Sequence, residues 1–191
     1  MPKSRLEAFS DGVIAIIITI MVLELKVPHG VELAALRPLV PVFFSYALSF
    51  VIVGIYWNNH HHLLHVVKHI NGTALWANLH LLFWLSLFPF TTGWMGENAF
   101  ATWAVALYGL VLLLAAIAYF VLVRVLVAAQ GPDSTLARAI GTNRKEKISL
   151  ALYATGIALS FVSAGLAIAA YMSVAAIWFV PDRRIEKTIG S

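Results

Sequence analysis

The sequence predicts an all-α integral membrane protein, with six transmembrane helices in a single domain of residues 1–191. The chain is 61% hydrophobic and 12% charged, and its mean hydropathy is +0.86. Soluble domains contain about 25% charged residues, so this composition indicates burial in a membrane. Apolar segments of spanning length recur along the chain, and the basic residues fall mainly on alternate connections between them.

Four apolar segments come first, and the predicted spans are residues 8–25, 39–57, 74–90 and 101–123. A stretch of 34 residues without a charge follows, from Ile148 to Pro181. As one helix it would be about 51 Å long, which is too long for a bilayer core of about 30 Å. We therefore expect two helices there, residues 148–163 and 165–180, with a reversal among small residues near Ser160 and Gly165.

The basic residues support six spans with both termini in the cytoplasm. In that orientation two of them, Lys26 and Arg37, lie outside the cell and eleven lie inside. A five-span arrangement would place three of the eleven outside. The eleven are Lys3, Arg5, Lys68, Arg124, Arg138, Arg144, Lys145, Lys147, Arg183, Arg184 and Lys187. We expect a multi-pass protein of the cell membrane.

The absence of cysteine and the distribution of charge restrict the partners and cofactors that we expect. The chain has no cysteine, which excludes disulfides and thiolate metal sites. The net charge is +4, but the basic residues gather at span ends and in loops, where anionic lipid headgroups rather than nucleic acid would attract them. Glu7 and Asp11 interrupt the first apolar segment, so we expect it to be retained rather than cleaved as a signal peptide.

The first span has two distinct sides on a helical wheel of about 100° per residue. One side carries Asp11 with Ala15, Ile18 and Val22. The other is an aliphatic stripe, which consists of Gly12, Ile16, Thr19, Ile20 and Leu23 and is extended toward the start of the helix by Arg5 and Phe9. Periodicity alone allows both sides to pack against neighbouring helices. A carboxylate in the membrane requires a donor nearby, however, which leaves the stripe free to face a symmetry mate or a pore.

The start of this span carries the motif Arg5-x-x-x-Phe9-Ser10-Asp11, followed by Gly-Val-x-Ala-Ile16-x-x-Thr19. This arrangement closely resembles the prokaryotic members of the TMEM175 potassium channel family. The resemblance continues through Trp57, the histidine-rich end of the second span, Asn78, and the Leu-Ser86-Leu-x-Pro-Phe segment of the third. It covers most of the chain, and the last two spans contribute least.

The resemblance implies a homotetramer with a central pore lined by the first helices, in which potassium is the permeant ion and no cofactor is needed. Its constriction would fall on Ile16, with Thr19, Ile20 and Leu23 as further pore positions. The chain has no Thr-Val-Gly-Tyr-Gly filter, so a carbonyl cage does not select the ion. A ring of isoleucines would instead close the pore sterically and by dewetting.

The resemblance also implies that the motif anchors the first helix to the second and third. The residues expected in this network are Arg5, Phe9, Ser10, Asp11, Trp57, His60, His61, Asn78 and Ser86. Arg5 and Asp11 are about 120° apart on the wheel, so a direct pair between them is not expected. We expect a network through other helices or subunits.

Two polar residues near the stripe have alternative interpretations. The Thr19 hydroxyl either offers oxygen to a passing ion or bonds to a carbonyl one turn back. Glu24 either concentrates cations at the outer mouth or pairs with Lys26 as a solvated charge.

Histidines cluster at the end of the second span, at positions 60, 61, 62, 65 and 69. The spacings of His61 with His65 and of His65 with His69 would let two imidazoles share one helix face and one metal ion. No carboxylate joins them, and an interfacial, partly solvated helix end is the expected arrangement, with no metal. A pH-sensing role remains open because imidazole titrates near neutrality.

Three functions are therefore compared. A potassium-favouring cation channel is preferred. The alternatives are a proton-conducting or proton-coupled transporter that uses Asp11 and the histidines, and a membrane metalloprotein or haem protein that uses the histidine cluster. An enzyme is not expected, because the sequence has no Ser/His/Asp order, phosphate loop or HExxH motif.

Overall fold

The computed structural model describes residues 2–131, 134, 136, 137 and 144–179, and their regular structure is entirely helical. The helices are α1 (Lys3–Val22), α2 (Val40–His65), α3 (Gly72–Ser86), α4 (Phe88–Glu97), α5 (Thr102–Gln130), α6 (Arg144–Ser160) and α7 (Ala164–Phe179), and a 3₁₀ helix (Leu33–Leu39) precedes α2. Helices α3 and α4 follow each other almost without interruption and together form one rod. These seven α-helices therefore form six rods. The predicted all-α, six-helix fold is confirmed.

The break between α3 and α4 follows from the sequence. Pro89 lies in the first turn of α4 and has no N–H to donate to the carbonyl one turn back. The two helices together, Gly72–Glu97, are one of three described segments that are long and apolar enough to cross a membrane. The other two are Leu33–His65 and Thr102–Gln130, and α7 is a shorter apolar helix.

Contacts between helix ends show that successive rods run in opposite directions. At one end of the bundle, the Lys3 ammonium donates to the carbonyl of His65, and Gln130 bonds the backbone of both Lys68 and His69. At the other end, Lys26 pairs with Glu97. Helices α6 and α7 also run in opposite directions, because the indole of Trp178, near the end of α7, donates to Ser149 near the start of α6.

The core is held by aromatic packing and by a small set of buried hydroxyls. Thr92 of α4 donates to Ser49 of α2 at 2.7 Å, and Ser49 lies 2.9 Å from the hydroxyl of Tyr108 on α5. These bonds join three helices and satisfy polar groups that have no access to water. Tyr171 of α7 is fully buried and donates to the carbonyl of Val105 at 3.3 Å.

The helix bounds differ from the predicted spans. Helix α2 continues eight residues past position 57, and α5 continues seven past position 123. Helix α1 runs from Lys3 to Val22 rather than over residues 8–25, and the last reversal occupies residues 161–163. Residue 180 of the sixth predicted span lies outside the described residues, as do Arg138, Arg183, Arg184 and Lys187.

Candidate functional site

Helix α1 packs on one side only. Five of its residues are buried, and these are Leu6, Ser10, Ile14, Ile17 and Met21. They face α2, α3 and α4. The aliphatic stripe is exposed along its length in the single subunit, with Ile16 at 57%, Ile20 at 42% and Leu23 at 74%. Gly12 and Thr19 are exposed as well. The structure therefore brings the predicted stripe together on one free surface.

The Asp11 side of α1 is not the packed side of the helix. Asp11 is half-buried, and Ala15 and Val22 on the same side are exposed. The packed side is a third one, between the Asp11 side and the stripe. A helical wheel gives the angles between residues, but the positions of the neighbouring helices decide which angle is covered.

Asp11 is nevertheless anchored to the second helix. The indole Nε1 of Trp57 donates to the Oδ1 atom of Asp11 at 3.0 Å. The Trp57 ring is stacked on the imidazole of His61, with 6.2 Å between centroids. A hydrogen bond to an ionised carboxylate is stronger than one between neutral groups, so this contact fixes the charged start of α1 against α2.

A second link runs through the buried side of α1. The amide of Asn78 on α3 donates from Nδ2 to the Ser10 hydroxyl at 2.9 Å, and its Oδ1 lies 2.7 Å from His60 Nε2 on α2. The short distance indicates that His60 donates through Nε2, since Oδ1 only accepts. All three residues are almost completely buried. This network joins α1, α2 and α3.

Other predicted members of the network lie apart from it. Ser86 donates to the carbonyl of Phe83 within its own helix. Arg5 and Phe9 are exposed in the single subunit, and the ion pairs among the described residues, Lys3–Glu7 and Lys26–Glu97, do not include Arg5.

The two interpretations of the Thr19 hydroxyl, an intrahelical bond and an oxygen offered to an ion, are compatible. Its hydroxyl donates to the carbonyl of Ile16 at 3.0 Å, as an intrahelical bond. A donating hydroxyl keeps its lone pairs. The oxygen of Thr19 thus remains able to accept a hydrogen bond or to contact a cation on the exposed stripe.

The charged residues just after α1 do not form the Glu24–Lys26 pair, which was one of the two interpretations of Glu24. Lys26 lies 2.6 Å from Glu97 at the end of α4, rather than pairing with Glu24. The hydrogen bond and charge of Glu97 raise the pKa of Lys26. The Glu24 side chain lies over Gly93 of α4, where a β-carbon would be 3.0 Å from Oε2. Gly93 therefore provides the space in which Glu24 packs.

The histidine cluster is less regular than its spacing implied. Helix α2 ends at His65, so His69 lies in the following loop and does not share a helix face with His65. The rings of His61 and His65 have centroids 6.3 Å apart. Within the described residues, no group of three potential ligands is placed to hold a metal ion.

Comparison with known proteins identifies the family. The model of the family described as endosomal/lysosomal potassium channel TMEM175 matches residues 5–89, which include the anchored helix and both partner helices. Over 189 residues the chain is 57% identical to a protein named as a potassium channel in Chryseobacterium sp. (strain P1-3), covering 99% of this chain and 98% of that one. The chain belongs to the TMEM175 family.

Other members of the TMEM175 family match this chain in structure or over part of its length. The crystal structure of a lysosomal potassium-selective channel TMEM175 homolog from Chamaesiphon minutus matches with a TM-score of 0.82 at 30% identity, over 94% of this chain and 97% of that one. The human protein, named as an endosomal/lysosomal proton channel, is 40% identical over 96 residues, which cover 44% of this chain and 19% of the human one. Family and relatives are channels rather than enzymes, and the chain is a membrane protein.

Proposed function

We propose that the chain is the subunit of a potassium-favouring cation channel, in which four copies surround a pore lined by α1. The observation that carries this proposal is the aliphatic stripe, which is exposed in the subunit while other sides of α1 are anchored by polar bonds to α2 and α3. Membership of the TMEM175 family and the relatives named as potassium channels support it.

The chemistry of the stripe accounts for a gate. Four Ile16 side chains around an axis form a narrow apolar ring that offers a hydrated cation no replacement ligands, so the ring excludes water and ions until it widens. Thr19 lies one turn further along and supplies four hydroxyl oxygens beyond that ring. Ile20 and Leu23 continue the apolar wall. The permeant ions are potassium and other monovalent cations, and the mechanism requires no cofactor.

The anchors explain why α1 keeps its orientation. Asp11 is fixed by Trp57, and Ser10 by Asn78 and His60. Both links act on the side of α1 away from Ile16, so the helix can present the stripe to the axis without polar groups entering the pore. With the basic residues inside, the Lys3 end of the bundle faces the cytoplasm.

Potassium flux from liposomes tests the gate. Ile16→Asn places an amide at the constriction, and we expect faster potassium flux with less discrimination against sodium. Leu110→Asn is the matched control, because Leu110 is 41% exposed and lies on α5, which is not among the helices packed against α1. Equal flux in wild type and Ile16→Asn would mean that the pore lies elsewhere.

Proton conduction is a second candidate, favoured by the name of the human relative. A pH-sensitive dye inside the same liposomes, with potassium absent, separates it from potassium flux. Acidification that follows an imposed proton gradient and is lost in Asp11→Asn would favour a relay through Asp11.

A further inference from the structure

A cavity of about 50 Å³ lies between α2, α5, α6 and α7, and none of its lining residues belongs to α1. Because one water needs about 10–15 Å³ by this measure, the cavity has room for about four waters or one small organic molecule. Four aromatic rings line it, those of Tyr56, Tyr119, Tyr153 and Trp178, together with the carboxylate of Glu146. The cavity is thus separate from the proposed pore.

The carboxylate of Glu146 is incompletely hydrogen-bonded among the described residues. Its Oε2 atom is buried and has no hydrogen-bond partner among the described residues. The ion pairs among the described residues, Lys3–Glu7 and Lys26–Glu97, do not involve it. Glu146 as a whole is half-buried, but a buried carboxylate oxygen without a partner is costly, and a cation or a donor in the cavity would remove that cost.

The aromatic rings are arranged to accept a cation. The rings of Tyr56 and Tyr119 have centroids 6.1 Å apart at 72°, and those of Tyr119 and Trp178 are 6.1 Å apart at 78°. In such edge-to-face pairs one ring presents its edge to one face of the other, and a ring face that is not covered in this way attracts positive charge. The ammonium of Lys145 already lies 5.9 Å from the centroid of Trp178, which shows that this ring can be approached by a cation.

Two hydroxyls of the lining are already bonded within the protein. The Ser149 hydroxyl accepts from Trp178 at 2.8 Å and donates to the carbonyl of Lys145 at 2.9 Å. Tyr119 donates to the carbonyl of Asn59 at 3.2 Å. A bare inorganic cation needs several oxygen ligands, whereas one carboxylate with aromatic faces suits an organic ammonium group.

We propose that this cavity binds a small organic ammonium ion, held by the charge of Glu146 and by the rings of Tyr119 and Trp178. The site belongs to each subunit and does not depend on the proposed pore. Sequence reasoning missed it because Glu146 lies in the basic run Arg144–Lys147, where a single acid resembles a solvated surface charge.

Tetramethylammonium chloride is the probe, and the full-length protein in detergent is titrated with it while saturation-transfer NMR detects the bound methyl groups. Potassium chloride keeps the ionic strength constant. We expect saturable binding that weakens at least tenfold in Glu146→Gln and is unchanged in Glu32→Gln, which alters an exposed acid in the loop before α2. Absence of binding to wild type, or equal binding to Glu146→Gln, would overturn the proposal.

A second pair of variants covers the case in which Glu146→Gln does not fold. Trp178→Phe keeps an aromatic face. Trp178→Leu removes that face with a side chain whose size is closer to phenylalanine than to tryptophan. We expect Trp178→Phe to retain binding within about threefold and Trp178→Leu to lose it about tenfold. Binding that both cavity variants leave intact would place the probe elsewhere, for example in the pore, and would also overturn the proposal.

Discussion

The indole of Trp57 on α2 donates a hydrogen bond to the carboxylate of Asp11 on α1 at 3.0 Å. This bond lies at the charged start of α1, on the part of the helix that the buried core does not cover. It supplies the donor that a carboxylate in a membrane protein requires, and it leaves the aliphatic stripe without polar neighbours.

A double-mutant cycle tests the link between Asp11 and Trp57. Trp57→Phe removes the donor but keeps a ring on His61, and we expect a loss of about 1.5 kcal/mol of stability, because the acceptor is charged but the indole is partly exposed. Asp11→Ala should cost more and weaken the assembly. Denaturant unfolding measures the loss of stability, and light scattering measures the assembly. The double variant should lose less stability than the sum of the losses in the two single variants. Strict additivity, or an Asp11→Ala protein that stays tetrameric with unchanged flux, would contradict this role.

Asn78 is expected to be the most sensitive anchor, since it satisfies Ser10 and His60 at once. Asn78→Leu leaves both buried groups without a partner, at an expected cost of about 1–3 kcal/mol. Thermal unfolding of the detergent-solubilised protein measures this loss. Ser86→Ala is the matched control on the same helix, because Ser86 bonds only to its own helix, and its melting temperature should stay close to that of the wild type. Similar melting temperatures for the two variants would argue against the network.

The Thr19 hydroxyl is expected to contribute to conduction through its oxygen. Thr19→Val keeps the shape and removes the oxygen, so potassium flux should fall, whereas Thr19→Ser should keep most of it. Both variants need comparison by liposome flux at equal protein density. If Thr19→Val conducts as well as wild type, the hydroxyl serves only its bond to the carbonyl of Ile16.

Gly109 is expected to tolerate no side chain. A β-carbon there would overlap the hydroxyl of Tyr171, and the ring of Tyr171 lies equally tightly against Gly156. Gly109→Ala should therefore destabilise the α5–α7 contact by about 1–3 kcal/mol or more. Gly54→Ala is the control, because a β-carbon at Gly54 meets nothing within 4 Å, and it should be neutral or stabilising by about 0.5–1 kcal/mol. Equal thermal stability of the two variants would show that Tyr171 can shift after all.

Composition and motif were sufficient for the fold class, the family and the exposed stripe of α1. Apolar length and charge distribution decide membrane insertion before any tertiary contact forms, and the helical period places Ile16, Ile20 and Leu23 together in any helix. The individual bonds of the anchor were not predictable. Ser86 and Asn78 looked equivalent in the sequence, and only the packing of α3 against α1 turned Asn78 inward and left Ser86 bonded to its own helix.

The sequence by itself therefore determined that this protein is a six-helix membrane protein and that α1 carries an aliphatic stripe beside a charged motif, because both properties follow from local hydrophobicity and helical period. Only the tertiary structure decided which side of α1 is buried, where helix α2 ends, and that Glu146 lies in an aromatic cavity. These depend on neighbours distant in the chain, whose positions are set by the packing of the whole bundle.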